Sequence, residues 1–126
     1  MKVLVVEDLK VMRRVIANIL KDLGIEEIIE SDDGLDALAT LQNQKVDLII
    51  TDWLMPNMDG LELVNDIRND DSLKNIPILM ITSVDNKENV IKALKAGIND
   101  YIAKPFKSDI LRNKVKKLLS TINTKN

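Results

Sequence analysis

The stretch that decides the fold is Asp47-Leu48-Ile49-Ile50-Thr51-Asp52, an apolar run that ends in an acidic residue. It leads into the turn Trp53-Leu54-Met55-Pro56-Asn57-Met58-Asp59-Gly60. A short apolar run bounded by turn residues is typical of a strand that is buried on both faces of a parallel sheet. The residue after such a strand lies at the carboxyl edge of the sheet, where ligands bind. Asp52 is therefore the first candidate functional residue.

Three further apolar runs end in polar residues in the same way. They are residues 3–6 before Glu7 and Asp8, residues 78–81 before Thr82, and residues 101–103 before Lys104. Four predicted strand ends thus carry three carboxylates, one hydroxyl and one ammonium group. Such a set could bind Mg²⁺ and handle a phosphoryl group.

Short apolar runs alternate with helical periodicity along the chain. Strands are predicted at residues 3–6, 25–29, Leu48–Thr51, 77–81 and Asp100–Ala103, each followed by a helix, the second at Gly34–Asn43. Gly24 and Gly97 are predicted to end the first and fourth helices. Capping boxes that begin at Asp59 and Asp85 are predicted to start the third and fourth helices. The pattern is (βα)5 in a single domain over residues 1–126.

Strands that alternate with helices form a doubly wound α/β fold, a parallel sheet with helices on both faces. Right-handed crossovers leave few strand orders, and the flavodoxin-like order 2-1-3-4-5 is common for five strands. In that order Glu7 and Asp8 face Asp52 across the point where the strand order reverses. Thr82 and Lys104 then lie on the far side of the same crevice.

The composition limits the chemistry that this chain can perform. It contains no cysteine and no histidine, which excludes disulfides, thiolate metal sites and imidazole ligands. A metal must be held by oxygen atoms, which favours Mg²⁺, Ca²⁺ or Mn²⁺. The apolar run that follows Lys2 is too short for a signal peptide or membrane span, so we expect a cytoplasmic protein without membrane contact. The formal net charge of −2 and the scarcity of aromatic residues argue against a nucleic-acid surface.

Three carboxylates that converge within a few ångströms repel one another unless a cation neutralises them. We assign Asp8 and Asp52 as direct Mg²⁺ ligands and Glu7 as a ligand through water. Asp52 is also the candidate nucleophile, since a carboxylate can attack a phosphoryl group to give an aspartyl phosphate. Lys104 would stabilise charge on the transferring oxygens, and the Thr82 hydroxyl would donate to one of them.

Each of these residues also has a purely structural interpretation. Asp52 alone could initiate a turn, and Glu7-Asp8 could cap a helix. Thr82 could be an ordinary strand residue, and Lys104 a plain loop residue. Their joint occurrence at four strand ends of one crevice favours the functional interpretation.

Four motifs resemble the receiver domain of two-component response regulators, in the right order and over the whole chain. They are Val5-Val6-Glu7-Asp8, residues 51–60, Ile81-Thr82-Ser83 and residues 101–106. Met12-Arg13-Arg14 and the stretch from Asp52 to Gly60 are most like the stand-alone chemotaxis type. The resemblance implies that Asp52 accepts phosphate from a phosphohistidine on a sensor histidine kinase. It also implies that the backbone carbonyl of Leu54 binds Mg²⁺ beside Asp8 and Asp52, and that Lys104 contacts the phosphoryl group.

The resemblance also implies a switch. Thr82 moves toward the phosphate and Tyr101 turns inward behind it, which couples the site to a partner surface on the fourth helix, fifth strand and fifth helix. The implied surface consists of Lys87, Val90, Ile91, Lys95, Tyr101, Ala103, Phe106 and Lys114. Its positive charge suits an acidic or amphipathic segment, such as the flagellar motor switch peptide that chemotaxis regulators bind. A cis bond at Lys104-Pro105 is a further implication.

Three departures from the family pattern bear on the chemistry. Glu7 replaces the more usual Asp, which lengthens that side chain by one methylene group. Ser83 replaces a frequent Ala and remains small enough for phosphate access. Leu54 and Val84 are apolar where the chemotaxis type often has polar side chains, and in this family those positions flank the path of the hydrolytic water.

These observations predict a phosphorylation-switched binding module, monomeric, and not an enzyme beyond Mg²⁺-dependent self-phosphorylation and autodephosphorylation. Its signal would leave by protein–protein contact, and a phosphatase is an additional expected partner. One alternative is a phosphate shuttle or sink in a phosphorelay. Another is a Mg²⁺-dependent phosphohydrolase, although Leu54 stands where such an enzyme has a second Asp, and no cap insertion is present. A flavin or nucleotide carrier is less favoured, because the chain lacks G-x-G-x-x-G and P-loop motifs.

Overall fold

The computed structural model describes residues 1–123, in which five parallel strands form one sheet in the order β2-β1-β3-β4-β5. The strands are β1 (Lys2–Val6), β2 (Glu27–Ser31), β3 (Leu48–Thr51), β4 (Ile78–Thr82) and β5 (Asp100–Ala103). The helices are α1 (Lys10–Asp22), α2 (Gly34–Asn43), α3 (Gly60–Arg68), α4 (Lys87–Ala96) and α5 (Ser108–Asn123). The predicted (βα)5 fold and strand order are confirmed. The predicted domain end at residue 126 lies outside the described residues.

Two apolar layers lie on either side of the sheet, because successive side chains of a strand point to opposite faces. Helices α2, α3 and α4 cover one face, where Leu4, Ile49 and Met80 are buried. Helices α1 and α5 cover the other face, where Ile50 and Ile81 are buried. Strands β1, β3 and β4 are therefore enclosed on both sides, as their continuous apolar runs predicted. None of the helices in the described range is long and apolar enough to cross a membrane.

Strand β2 begins two residues later than the predicted range 25–29. Gly24 follows the end of α1 with a φ of +85°, and the Ile25 N–H donates to the Leu20 carbonyl oxygen. This bond is part of a helix ending that uses glycine in the left-handed region. Ile25 is consequently buried beside Leu20 and belongs to the helix ending instead of the strand. The apolar pattern alone could not show that the Ile25 N–H is hydrogen-bonded to α1 and is therefore not available to the sheet.

The start of α3 and the end of α4 agree with prediction. The Asp59 carboxylate accepts from the Glu62 N–H at 2.8 Å, and the Glu62 side chain accepts from the Asp59 N–H at 3.2 Å. This is the predicted capping box. Gly97 follows α4 with a φ of +123°, as expected of a residue that ends a helix.

The predicted capping box at Asp85 is wrong, because Asn86 caps α4. The Asn86 side chain accepts from the Asn89 N–H at 2.9 Å. Asn and Asp are comparable N-caps, so sequence preference could not choose between these two neighbours. With Asn86 as the cap, Glu88 lies in the first turn, where the helix dipole favours a negative charge. Strand β4 is likewise shifted by one residue from the predicted range 77–81 and includes Thr82.

Candidate functional site

The three predicted carboxylates meet at the carboxyl edge of the sheet. Val6 of β1 pairs with Thr51 of β3, and the Asp52 N–H donates to the Val6 carbonyl oxygen at 3.0 Å. One oxygen atom each from Glu7, Asp8 and Asp52 lies within 4.8 Å of the others. Glu7 and Asp52 are only 1% and 8% exposed, whereas Asp8 is exposed to solvent. The cluster is therefore buried on one side and open on the other.

Lys104 lies between two of these carboxylates. Its Nζ donates to Glu7 Oε1 at 2.7 Å and to Asp52 Oδ2 at 2.8 Å. Its backbone N–H donates to the Thr82 carbonyl oxygen at 2.9 Å, which places the start of the β5–α5 loop beside the end of β4. An ammonium group at this position offsets part of the cost of burying two negative charges. The Lys104–Pro105 peptide bond is cis, as the resemblance implied.

Burial and charge shift the proton affinities in this group. Burial raises the pKa of Glu7 above its ordinary value, the hydrogen bond from Lys104 opposes the rise, and the charge of Asp52 adds to it. Burial alone would lower the pKa of Lys104. The hydrogen bonds to Asp52 and Glu7, and the charges of both carboxylates, outweigh burial and raise this pKa. Lys104 is therefore held as a cation inside an acidic cluster.

Thr82 ends β4 beside Lys104 and is 2% exposed. Its Oγ1 accepts from the Val84 N–H at 2.9 Å, which forms a local side-chain turn. A hydroxyl group that accepts a backbone hydrogen bond still has its own hydrogen to donate. Thr82 is thus available for the predicted role of donor to a ligand oxygen.

The loop after Asp52 is held by hydrogen bonds from its backbone N–H groups. The Trp53 N–H donates to Asp52 Oδ1 at 2.6 Å, and the Gly60 N–H donates to the Trp53 carbonyl oxygen at 2.7 Å. A Cβ atom at Gly60 would overlap the Asp52 carbonyl oxygen, so only glycine allows the helix to start this close to the strand end. The Leu54 side chain is 56% exposed at this loop. The assignment of the Leu54 carbonyl as a metal ligand stays a prediction.

Asn57 links the same loop to the start of α2 by a hydrogen bond, a role that the sequence analysis missed. Its φ is +68°, which Asn tolerates better than most residues, and its Nδ2 donates to Asp33 Oδ2 at 2.6 Å. Asp33 caps α2 by accepting from the Asp36 N–H. That bond and the one from Asn57 lower the pKa of Asp33 below its ordinary value. The Pro-Asn pair was the available signal, because it is typical of tight turns.

The predicted partner surface is divided between a groove and an exposed helix face. A groove of about 400 Å³ is lined by Tyr101, Ile102, Ala103, Pro105, Phe106, Lys107, Ile110 and Lys114. It brings together the predicted members that lie on β5, on the following loop and on α5. It also adds four residues that were not predicted, Ile102, Pro105, Lys107 and Ile110. The predicted α4 members lie outside the groove lining, with Lys87, Ile91 and Lys95 exposed and Val90 half-buried.

One positive charge of the groove is paired. Lys114 Nζ donates to Asp100 Oδ1 at 2.8 Å and lies 5.7 Å from the centroid of the Tyr101 ring. A cation at this distance is attracted by the face of an aromatic ring. The groove is therefore less positive than its lysines suggested, while the movement of Tyr101 stays a prediction.

The chain matches known proteins over nearly its whole length. The family model described as the response regulator receiver domain matches residues 3–116. The chain is 48% identical over 122 residues to the chemotaxis protein CheY1 of Helicobacter pylori, covering 96% of this chain and 98% of that protein. It is 42% identical over 123 residues to the chemotaxis protein CheY of Pseudomonas aeruginosa, covering 98% of this chain and 99% of that protein.

Solved structures show the same architecture. The receiver domain of a signal transduction histidine kinase from Syntrophus aciditrophicus superimposes with a TM-score of 0.89 at 33% identity, covering 96% of this chain and 91% of that one. The receiver domain of a sensor histidine kinase from Pseudomonas aeruginosa superimposes with a TM-score of 0.85 at 31% identity, covering 94% of this chain and 97% of that one. The latter structure has a magnesium ion coordinated in its active site cleft.

Proposed function

The chain belongs to the response regulator receiver domain family, and we propose that it is a signalling module switched by phosphorylation of Asp52. The observation that carries this proposal is the position of Asp52, which shares an acidic cluster with Glu7 and Asp8 and binds the Lys104 ammonium. A sensor histidine kinase would be the phosphoryl donor. The similarity to proteins named for chemotaxis supports a role in that process, with the flagellar motor switch as the target.

The acidic cluster fits a magnesium ion in our proposal. Asp8 and Asp52 would bind it directly, together with the Leu54 carbonyl, and Glu7 would act through water. The three carboxylate oxygens lie within 4.8 Å of one another, so that one cation could neutralise their shared charge. The exposed side of Asp8 leaves room for water ligands. Bound Mg²⁺ would withdraw negative charge from the phosphoryl oxygens.

The proposed transfer is a displacement at phosphorus. A carboxylate oxygen of Asp52 forms the new P–O bond while the P–N bond to the kinase histidine breaks, and the imidazole nitrogen keeps the electron pair. Lys104 and the Thr82 hydroxyl would stabilise charge on the phosphoryl oxygens. These two groups suit a joint role because the Lys104 N–H is bonded to the Thr82 carbonyl oxygen.

Signal output in this proposal is a shift between two conformations. The phosphoryl group would favour the arrangement in which Thr82 lies near it and Tyr101 is turned inward. The target would dock on the Tyr101–Lys114 groove and the exposed residues of α4. Ile110 and Phe106 offer apolar contact there, and Lys107 offers charge.

The direct test uses purified protein and a small phosphodonor such as acetyl phosphate. With Mg²⁺ we expect a gain of about 80 Da by intact mass. Chelation of Mg²⁺ is expected to prevent it. A gain that is equally fast without divalent cation would contradict the proposed metal site. Continuous release of phosphate from small esters would instead indicate a phosphohydrolase.

We predict that Asp8→Ala weakens Mg²⁺ binding by a factor of about 10 or more relative to Glu7→Ala. The reason is that Asp8 is exposed and would bind the ion directly, whereas Glu7 is buried, is bonded to Lys104 at 2.7 Å and would act only through water. The measurement is the fluorescence of Trp53 as Mg²⁺ is added. The backbone N–H of Trp53 is bonded to Asp52 Oδ1.

The exposed acidic residue Asp66 on α3 supplies the control for this titration. Asp66→Ala removes the same charge from another part of the surface and should leave the affinity unchanged. Equal losses in Asp8→Ala and Glu7→Ala would show that the assignment of direct and water-mediated ligands is wrong.

A second prediction concerns the lifetime of the phosphorylated state. Hydrolysis needs a water molecule held in line with the Asp52–phosphorus bond, and Leu54 and Val84 offer it no hydrogen bond. We expect the double variant Leu54→Asn, Val84→Glu to lose its phosphoryl group roughly tenfold faster than the parent. The decay is followed by intact mass after the phosphodonor is removed.

The double variant Leu54→Ala, Val84→Ala separates bulk from polarity in this experiment. If it decays as fast as the polar variant, then access alone limits hydrolysis. Decay at the parental rate in both variants would mean that these side chains do not control the water.

A further inference from the structure

Arg13 connects α1 to the loop that carries two of the three carboxylates. Its Nη1 donates to the Glu7 carbonyl oxygen at 2.7 Å, and its Nε donates to Glu30 Oε1 on β2 at 3.0 Å. The Arg13 side chain is 15% exposed. The adjacent Arg14 is 60% exposed and approaches the same Glu30 oxygen at 3.6 Å. Within residues 1–123, only the first of these two arginines is hydrogen-bonded to Glu7.

The position of Arg13 is not explained by the requirements of the helix. α1 begins at Lys10, and its N-cap residue Leu9 makes no side-chain capping bond. A cation near the start of a helix faces the positive end of the helix dipole, which is unfavourable. The two tertiary hydrogen bonds must therefore account for a largely buried guanidinium group at this place.

We propose that Arg13 is a positioning residue for the metal site, an inference that rests on the proposed function. The peptide group is planar, so fixing the Glu7 carbonyl also fixes the nitrogen and Cα of Asp8. The Glu7 N–H donates to the Ser31 carbonyl oxygen at 3.0 Å, which holds the same residue from the β2 side. The Asp8 side chain is exposed, so its direction depends on the backbone more than on packing. Arg13 thereby aims the Asp8 carboxylate at the ion that Asp52 shares.

The test compares Arg13→Ala with Arg14→Ala in the full chain. Groups that orient a metal ligand typically change affinity by 10- to 100-fold, so Arg13→Ala should weaken Mg²⁺ binding by about tenfold or more. Arg14→Ala removes the same charge from the next residue and should stay within about twofold of the parent. The Mg²⁺ affinity of Arg13→Lys should fall between those of the two alanine variants, because lysine keeps the charge but lacks the separate Nε and Nη1 donors of the planar guanidinium group.

A second readout distinguishes positioning from a general loss of stability. Amide hydrogen exchange of residues 8–10 is measured without metal, and it should accelerate in Arg13→Ala but not in Arg14→Ala. Ile19→Val, a change in the buried face of α1, lowers stability and should alter neither readout. If Arg13→Ala does not fold, Arg13→Lys carries the same comparison.

The outcomes separate this inference from the proposed function. Parental Mg²⁺ affinity and parental exchange in the Arg13 variants would overturn the positioning role. An equal loss of Mg²⁺ affinity in Arg14→Ala would overturn the positioning role as well, because the loss would then follow from the removed charge alone. A parent protein that binds no Mg²⁺ would refute the metal site, whereas the exchange of residues 8–10 would still decide whether Arg13 orders the loop.

Discussion

Asp52→Asn is expected to abolish phosphorylation by a small phosphodonor, with the rate lowered by at least about a thousandfold. The amide has neither the negative charge nor the nucleophilic oxygen of the carboxylate. Intact mass after incubation with Mg²⁺ and acetyl phosphate is the measurement, and the gain of about 80 Da should be lost. A variant that gains this mass as readily as the parent would place the phosphoryl group on another residue.

The matched control is Asp59→Asn in the same loop. Asp59 caps α3, and Asn is a comparable cap, so this variant should be phosphorylated like the parent. A measurement of stability tests whether Asp52→Asn loses phosphorylation because it fails to fold. The amide has nearly the same shape. It loses one of the two hydrogen bonds that Asp52 accepts, from Trp53 or from Lys104, while removal of its charge lowers the repulsion from Glu7. The two effects oppose each other, so the free energy of unfolding should stay within about 1 kcal/mol of the parent.

Lys104→Met is expected to lower the free energy of unfolding at neutral pH by about 2–3 kcal/mol in the absence of Mg²⁺. The variant keeps an unbranched side chain but leaves the carboxylates of Glu7 and Asp52 without their cation. The side chains of these two residues, taken without their backbone, are only 1% and 10% exposed. Sequence reasoning placed Lys104 against a phosphoryl group. The structure adds two ion pairs, with Glu7 and Asp52, and their loss carries this cost. Urea unfolding measures the difference.

The pH dependence of this difference identifies its cause. Ionisation of Glu7 costs stability as the pH rises above the ordinary glutamate value of 4.5, because burial raises its folded pKa. Without Lys104 this cost grows, so the difference between parent and variant should widen from acidic to neutral pH. The pKa of Lys104 is higher in the folded state than its ordinary value of 10.5, which stabilises the fold. This stabilisation is complete below pH 10.5 and is lost as the pH rises through the pKa of the folded state. The difference should then narrow again in alkali.

Two controls complete the Lys104 experiment. Lys107→Met removes an exposed lysine from the same loop and should change the free energy of unfolding by less than about 0.5 kcal/mol. Mg²⁺ should reduce the difference between the parent and Lys104→Met, because the ion binds the folded carboxylates. A difference that does not vary with pH or Mg²⁺ would show that Lys104 does not stabilise the cluster by charge.

The fold was predictable because its signals are local and repeat along the chain. Continuous apolar runs such as Leu48–Thr51 indicate strands that are buried on both faces, and this strand has the predicted bounds. The rule that crossovers are right-handed then restricts the strand order to few choices. The errors lie at element boundaries, where hydrogen bonds between neighbouring elements decide the result. Ile25 shows this, since its N–H bonds to Leu20 of α1 and is lost to the strand.

The sequence by itself determined which groups stand at the carboxyl edge, because a parallel sheet brings its strand ends together wherever they occur in the chain. Glu7, Asp52 and Lys104 could be named for this reason. Only the tertiary structure decided how their charges pair. Lys104 binds Glu7, 97 residues away, and Asp52, 52 residues away, at distances set by sheet twist and side-chain rotamers.

The same limit applies to the residues that hold the site from outside. Arg13 of α1 donates to Glu7, which follows β1, and Asn57 donates to Asp33, which precedes α2. Neither contact repeats with a helical or strand period. Hydrophobic periodicity shows which face of an element is buried. It does not show which residue that face contacts, because the hydrophobic effect depends on buried area and has no preferred direction. A hydrogen bond requires one donor and one acceptor within about 3 Å and in line. That condition is met only after the elements have packed, so these contacts were decided by the tertiary structure alone.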